Sequence, residues 1–237
     1  IQTFPRLWVA LYPLLFFYFM GSLFFAMKDK PWIPKKTFQL IGLALGLVVM
    51  DQIFKWIVSV TLPVNDSFPI ISGWLEITYR RNFHGAWIFT QLLADSIPLI
   101  TPLLKFFCIA LVLMIIPTYR YFKTIRGNKF WMNLSYVLLF AGILSWMTDM
   151  FMRGFILDYI GLPGIVAFDL KDIYVYLGAV ALILEIVDGQ SKFILWNGWN
   201  SEKEDIKKFT IVVWQIMTQD LLLLYLFVKR FFIKKAP

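Results

Sequence analysis

An all-α polytopic membrane protein with a small β-structure on one side of the bilayer is the fold this sequence predicts, and three observations predict it. Of the 237 residues, 59% are hydrophobic and only 16% charged, with a mean hydropathy of +0.70, too few charges to cover a water-soluble domain of this size. The apolar residues gather into long runs, several near the roughly 20 residues that cross a hydrocarbon core as helix. Ten Trp, ten Tyr and 24 Phe supply the amphipathic and apolar rings that collect around membrane interfaces.

The spans follow in order. Residues 7–27 form a first apolar run, ending at the basic segment 28–36. Residues 38–60 form a second, interrupted by Asp51 and Lys55, and residues 97–116 a third, with Pro98, Pro102 and Lys105 near its start. The fourth, 130–152, carries Thr148 and Asp149 toward its end. The fifth, 173–187, is short unless it extends back through Asp172, and the sixth, 209–228, contains Gln215, Gln219 and Asp220.

Charge bias then orients the chain. Lys28, Lys30, Lys35 and Lys36 place their loop inside, and Arg120, Lys123, Arg126 and Lys129 place the loop before the fourth span on that same side. Segments 61–88 and 153–171 therefore both face outward. Within the first of these, Asn65-Asp66 and Ser72-Gly73 signal turns, and residues 74–79 alternate loosely among β-prone types, so a β-structure is expected over about 61–90. Segment 153–171 reads as a short polar hinge. Lys229, Arg230, Lys234 and Lys235 follow the sixth run, which either spans against the positive-inside rule or lies along the inner interface; a span is expected.

The net charge of +8 does not point to nucleic acid, because the basic residues cluster between apolar runs rather than along one face. The single cysteine, Cys108, lies in an apolar run and reads as a small buried hydrophobe. With His84 the only histidine, zinc motifs and Ser-His-Asp arrangements lack their parts, and there is no Gly-rich phosphate loop. No cofactor and no metal are expected.

What remains is a set of charges placed where charge is costly. Asp51 and Lys55, four apart, share one helical face and read as an ion pair, as do Asp149 and Arg153 at the outer end of the fourth span. Asp158 stands within the apolar stretch 155–160. Asp172 opens the fifth span, where capping the helix is the alternative to a chemical role, and Asp169 is an equal candidate for that cap. Two carboxylates brought together cannot both ionise cheaply, so one proton is shared, giving a general acid and a general base from one residue type. A cation path lined by Asp51, Asp149, Asp158 and Asp172 is the other chemistry these residues allow.

Five short motifs carry a resemblance to a known family. Asp51-Gln52-Ile53-Phe54-Lys55 resembles Asp-Gln-x-x-Lys, and Arg81-Asn82-Phe83-His84-Gly85-Ala86-Trp87 resembles Arg-Asn-x-Gly-Ala-Ala-Phe. Asp149 falls where Gly-Asn-Leu-Ile-Asp-Arg has its aspartate; Gly154-Phe155-Ile156-Leu157-Asp158-Tyr159 resembles Gly-x-Val-Val-Asp-Phe, and Phe168-Asp169-Leu170-Lys171-Asp172 resembles Phe-Asn-x-Ala-Asp. Together, over roughly 37–190, they resemble lipoprotein signal peptidase, the signal peptidase II family of bacterial membrane aspartyl proteases. The resemblance implies a four-helix core with a β-cradle, Asp158 and Asp172 as the catalytic pair, and Asp51, Lys55, Asn82, Asp149 and Arg153 in substrate-binding or supporting positions.

It also implies the reaction, cleavage of the signal peptide just before a lipid-modified cysteine at the outer face of the bacterial cytoplasmic membrane. Membrane lipid and a lipid-modified prolipoprotein are then the partners. Three segments follow: an added N-terminal helix and basic loop at 1–36, the peptidase-like core at 37–190, and a cytoplasmic linker with an added C-terminal helix at 191–237. The chain departs from the pattern at Ser145-Trp146 (for Gly-Asn), Met150 (for Arg), His84 (for Gly) and Asp169 (for Asn). These departures and the added helices motivate an alternative, a catalytically altered homologue serving as a non-enzymatic subunit of a larger membrane assembly.

Overall fold

The computed structural model describes residues 18, 36–83, 97–188 and 199–233. The expected first span and its basic loop (apart from Tyr18 and Lys36), the motif residues His84 to Trp87, and most of the expected linker lie outside the described residues.

Helix α1, Thr37–Thr61, is mostly apolar, interrupted by Asp51, Gln52 and Lys55, and stops where Leu62 turns extended ahead of Pro63, whose ring disfavours a helical residue before it. Its buried residues are Leu40, Ala44, Val48, Asp51, Lys55 and Val58, a single stripe at helical spacing. The ionic residues thus continue the packing face, while Leu45, Val49, Ile53, Trp56 and Val60 lie exposed elsewhere on the helix, as lipid contact requires. Strands β1 (Ser67–Ile71) and β2 (Leu75–Asn82) then form an antiparallel hairpin within the segment where β-structure is expected.

Helix α2, Ile97–Arg126, runs ten residues past the expected span and absorbs Arg120, Lys123 and Arg126, which the sequence reading had placed in a loop. Helix α3, Phe130–Met152, matches the fourth span. The segment read as a polar hinge is instead a second hairpin, β3 (Ile156–Leu162) and β4 (Val166–Phe168). The four strands form one antiparallel sheet in the order β1-β2-β3-β4, with Arg80 opposite Asp158 and Asn82 opposite Ile156. Helix α4, Leu170–Asp188, follows at once, and helix α5, Trp199–Ile233, begins ten residues before the expected sixth run.

Two apolar cores set the frame. Leu40, Ala44 and Val48 of α1, Val137 and Ala141 of α3, and Tyr174, Leu177 and Ala181 of α4 fill the bundle. A second cluster, Val58, Tyr79, Leu157 and Tyr159, joins the sheet to the end of α1. Helices α3 and α4 approach closely at two glycines. A Cβ at Gly142 would lie 2.6 Å from Val175 Cγ2, and one at Gly178 would lie 3.1 Å from the Leu139 backbone nitrogen. Small residues at such crossings let helix backbones close in the absence of a water-driven force.

Helix α5 packs on α2, where Asp220 pairs with Arg120 and Phe209 meets Tyr121 edge-on. The charge inside the sixth apolar run is thereby matched. Among the described residues, four helical stretches are long and apolar enough to cross a membrane: Thr37–Thr61, Lys105–Ile125, Phe130–Met152 and Ile206–Arg230. Helix α4 is not among them; it is 19 residues long and carries Lys171, Asp172, Glu185 and Asp188. The molecule is a helical, polytopic membrane protein, with one small sheet among the described residues.

Candidate active site

Where the two cores meet, α1, α3, β2, β3 and the first turn of α4 bring their polar side chains together. At the centre is Lys55, whose Nζ lies 2.7 Å from Asp51, 2.5 Å from Asp149 and 2.6 Å from Asp169, all four side chains fully buried. Asp51 also accepts from the Ser145 hydroxyl and, at 3.2 Å, from the Tyr159 hydroxyl. Gln52 donates to Asp149 (3.1 Å) and to Ser145 (3.3 Å), while its carbonyl oxygen accepts from Arg153 (2.5 Å). Arg153 in turn pairs with Asp149 at 2.8 Å.

Asp169 connects this network to the start of α4. Its Oδ2 lies 2.6 Å from Lys55 and 2.7 Å from Lys171. Its Oδ1 accepts the Asp172 N–H at 3.2 Å, and Asp172 Oδ2 accepts the Asp169 N–H at 3.4 Å. This is a reciprocal N-cap built from two aspartates. The capping residue is therefore Asp169, and Asp172 occupies the third helical position, its other oxygen 3.4 Å from Lys171.

Asp158 reaches the same point from β3. Its Oδ2 accepts from Asn82 Nδ2 at 3.2 Å; its Oδ1 is buried without a hydrogen-bond partner among the described residues, 3.9 Å from Lys171 Nζ. Carboxylate oxygens of Asp158, Asp169 and Asp172 all lie within 4.8 Å of one another. The pair is asymmetric, with the Asp158 side chain 9% exposed and that of Asp172 38%. Burial pushes the Asp158 carboxyl up to about 7, with Asp169 and Asp172 adding to the rise and Lys171 and Asn82 opposing it.

Three cations (Lys55, Lys171, Arg153) face five carboxylates (Asp51, Asp149, Asp158, Asp169, Asp172), so full ionisation leaves two negative charges and one shared proton leaves one. Removing one partner from such a buried set typically costs about 3–5 kcal/mol, because the remaining charge has no water to turn to. Two carboxylate trios have the spacing to grip a metal ion, Asp51-Asp149-Asp169 and Asp158-Asp169-Asp172. Each already has an ammonium at the cation's place, Lys55 in the first and Lys171 in the second. A metal would have to displace a lysine.

All seven residues singled out from the sequence, Asp51, Lys55, Asn82, Asp149, Arg153, Asp158 and Asp172, fall in this one network. Sequence reading missed Gln52, Ser145, Tyr159 and Lys171, and gave Asp169 no bridging role. Ser145 and Asp149, one turn apart on α3, carried a legible signal; so did Lys171, a lysine set between two aspartates.

Comparison with known proteins adds three findings. Residues 43–188, more than half of the chain, match the model of a family described as signal peptidase (SPase) II. The lipoprotein signal peptidases of Staphylococcus aureus strains JH9 and Newman are each 28% identical over 155 residues, covering 64% of this chain and 89% of the relative. A bacterial membrane enzyme solved by the in meso method at 2.3 Å resolution is similar in fold, with a TM-score of 0.53 at 24% identity over 65% of this chain and 91% of the other.

Proposed function

This chain belongs to the signal peptidase II family, and we propose that it is a membrane aspartyl endopeptidase that removes signal peptides from lipid-modified prolipoproteins, with Asp158 and Asp172 as the catalytic pair. The observation that carries the proposal is the convergence of those two carboxylates from separate elements, β3 and α4, to within 4.8 Å. The name of the relatives supports the substrate. The charge bias of the loops supports a site facing outward from the bacterial cytoplasmic membrane, and the core at 37–190 would do the chemistry between the added terminal helices.

The asymmetry of the pair supports a division of roles. Asp172, the more exposed, is the ionised base that takes a proton from water. The water oxygen attacks the scissile carbonyl carbon, and protonated Asp158 donates its proton to the developing oxyanion. Asn82 holds Asp158 Oδ2, leaving Oδ1 to act. As the tetrahedral intermediate collapses, one of its hydroxyls returns a proton to Asp158, the C–N bond breaks, and the departing amine takes up the proton held by Asp172. The pair then shares one proton again.

The test is cleavage of a diacylglyceryl-modified prolipoprotein by the purified protein. Asp158→Asn and Asp172→Asn should each slow it by at least the roughly 10²–10⁴-fold that general acid–base groups supply. Cleavage retained by both variants would remove the pair from the mechanism. Absence of cleavage by the parent protein, with partners co-purifying in fixed ratio, would favour the non-enzymatic subunit.

A further inference from the structure

Lys171 is the one cation, among the described residues, within 4.0 Å of both Asp158 and Asp172. Its residue is 4% exposed, so it reaches substrate poorly but faces both carboxylates, and Asp169 pins it at 2.7 Å. Asp169 and Lys171 bring one negative and one positive charge to the pair, a sum of zero. In the motif this segment resembles, the same two positions are a neutral Asn and Ala.

The other charged or titratable groups around this point are Asp51 and Lys55 from α1, Asp149 from α3 and Arg153 at its C-cap, Tyr159 from β3, and Tyr174 from α4 itself. Arg80 of β2 stands opposite Asp158 in register with an exposed side chain. None of these approaches both carboxylates as Lys171 does. Removing Lys171 would therefore leave the pair in the field of Asp169, and removing Asp169 would leave it in the field of Lys171.

We propose that Asp169 and Lys171 form a charge-compensated positioning pair that fixes the pH range in which Asp158 and Asp172 hold a single shared proton. The proposal rests on the peptidase reading for its effect on catalysis, and on the geometry alone for its effect on protonation. Lys171 favours the ionised member and Asp169 the protonated one. With both present the window stays near neutral pH; with one absent it moves in a direction set by the charge that remains.

The experiment compares the pH profile of kcat/KM for the parent protein, Asp169→Asn, Lys171→Met, Lys171→Arg and the Asp169→Asn/Lys171→Met double variant, all in one detergent with a diacylglyceryl-modified prolipoprotein. Asn caps a helix as well as Asp does, and Met keeps the stem volume of Lys. Asp169→Asn should move both limbs to lower pH and Lys171→Met should move both to higher pH, each by about 1–3 units. The double variant should return the midpoint close to that of the parent, and Lys171→Arg should leave it in place.

Infrared titration of the Asp158 carboxyl band, assigned by its loss in Asp158→Asn, should shift in the same directions without any substrate. Unmoved limbs and bands, or shifts of the same sign in both single variants, would overturn the proposal. If Lys171→Met does not fold, Asp169→Asn and Lys171→Arg still decide it. If the parent protein does not cleave but the band shifts as expected, the positioning pair stands and the peptidase reading is what fails.

Discussion

Replacing Asp158 by Asn should make the folded protein progressively more stable than the parent as the pH rises from about 4 to 7. Burial lifts the Asp158 carboxyl from 3.8 to about 7 in the fold. Between those values the folded state binds a proton that the unfolded chain has released, so parent stability falls with rising pH across the window. Below 3.8 both states are protonated and the effect vanishes; above 7 it is complete. About three pH units at about 1.4 kcal/mol each give on the order of 4 kcal/mol. With Asp158 only 6% exposed, solvent screening removes little of it. Asn has no proton to lose, and its carbonyl oxygen still accepts from Asn82. The assay is the apparent melting temperature of both proteins in one detergent from pH 4 to 9. Contributions from titrating groups remote from Asp158 cancel in the difference, which should be small at pH 4, grow to several degrees by pH 7 and then level off. A difference that is flat with pH, or that favours the parent as the pH rises, would refute the reasoning.

Three further substitutions probe other parts of the site. Lys55→Met leaves Asp51, Asp149 and Asp169 crowded around a methyl group and should cost about 3–5 kcal/mol, read as lost folded yield; adding Asp51→Asn should recover part of it. Gly142→Val drives a side chain into Val175 and toward the Lys171 carbonyl oxygen, 3.4 Å from the first added carbon. Overpacking of that kind costs about 1–3 kcal/mol and should slow prolipoprotein cleavage by displacing the start of α4, seen as a lower melting temperature together with a lower kcat. Asn82→Ala removes the hydrogen bond that favours ionised Asp158, so the Asp158 carboxyl band should titrate at higher pH than in the parent.

Much of this architecture could be read in advance because membrane spans and i, i+4 pairs are local signals. Asp51 with Lys55 and Asp149 with Arg153 were legible as pairs for that reason, and the structure places each pair at 2.7 and 2.8 Å. What stayed hidden depends on contacts between distant segments. Ser145 meets Asp51 and Gln52 across 94 and 93 positions, and no spacing rule reports that. Strand β3 escaped for a different reason. Residues 156–159 are all buried, so the run has no alternation of apolar and polar residues to announce a strand, and Asp158 within it looked like an anomaly in a hinge. The choice of cap between Asp169 and Asp172 turned on which side chain reaches which N–H, a difference of one turn that only coordinates resolve.

The i, i+4 ion pairs have a meaning for the order in which this protein is made. Helix α1 leaves the ribosome long before α3 or α4, so neither Asp149 nor Asp169 is at hand when Lys55 enters the bilayer. A lone lysine at that depth would resist insertion, whereas Lys55 arrives with Asp51 one turn away as a neutral dipole. Asp149 likewise arrives with Arg153. Each helix can settle as an electrically self-sufficient rod, and the pairs gain further partners only when the bundle closes. The candidate active site is then assembled from charges that crossed into the membrane already escorted.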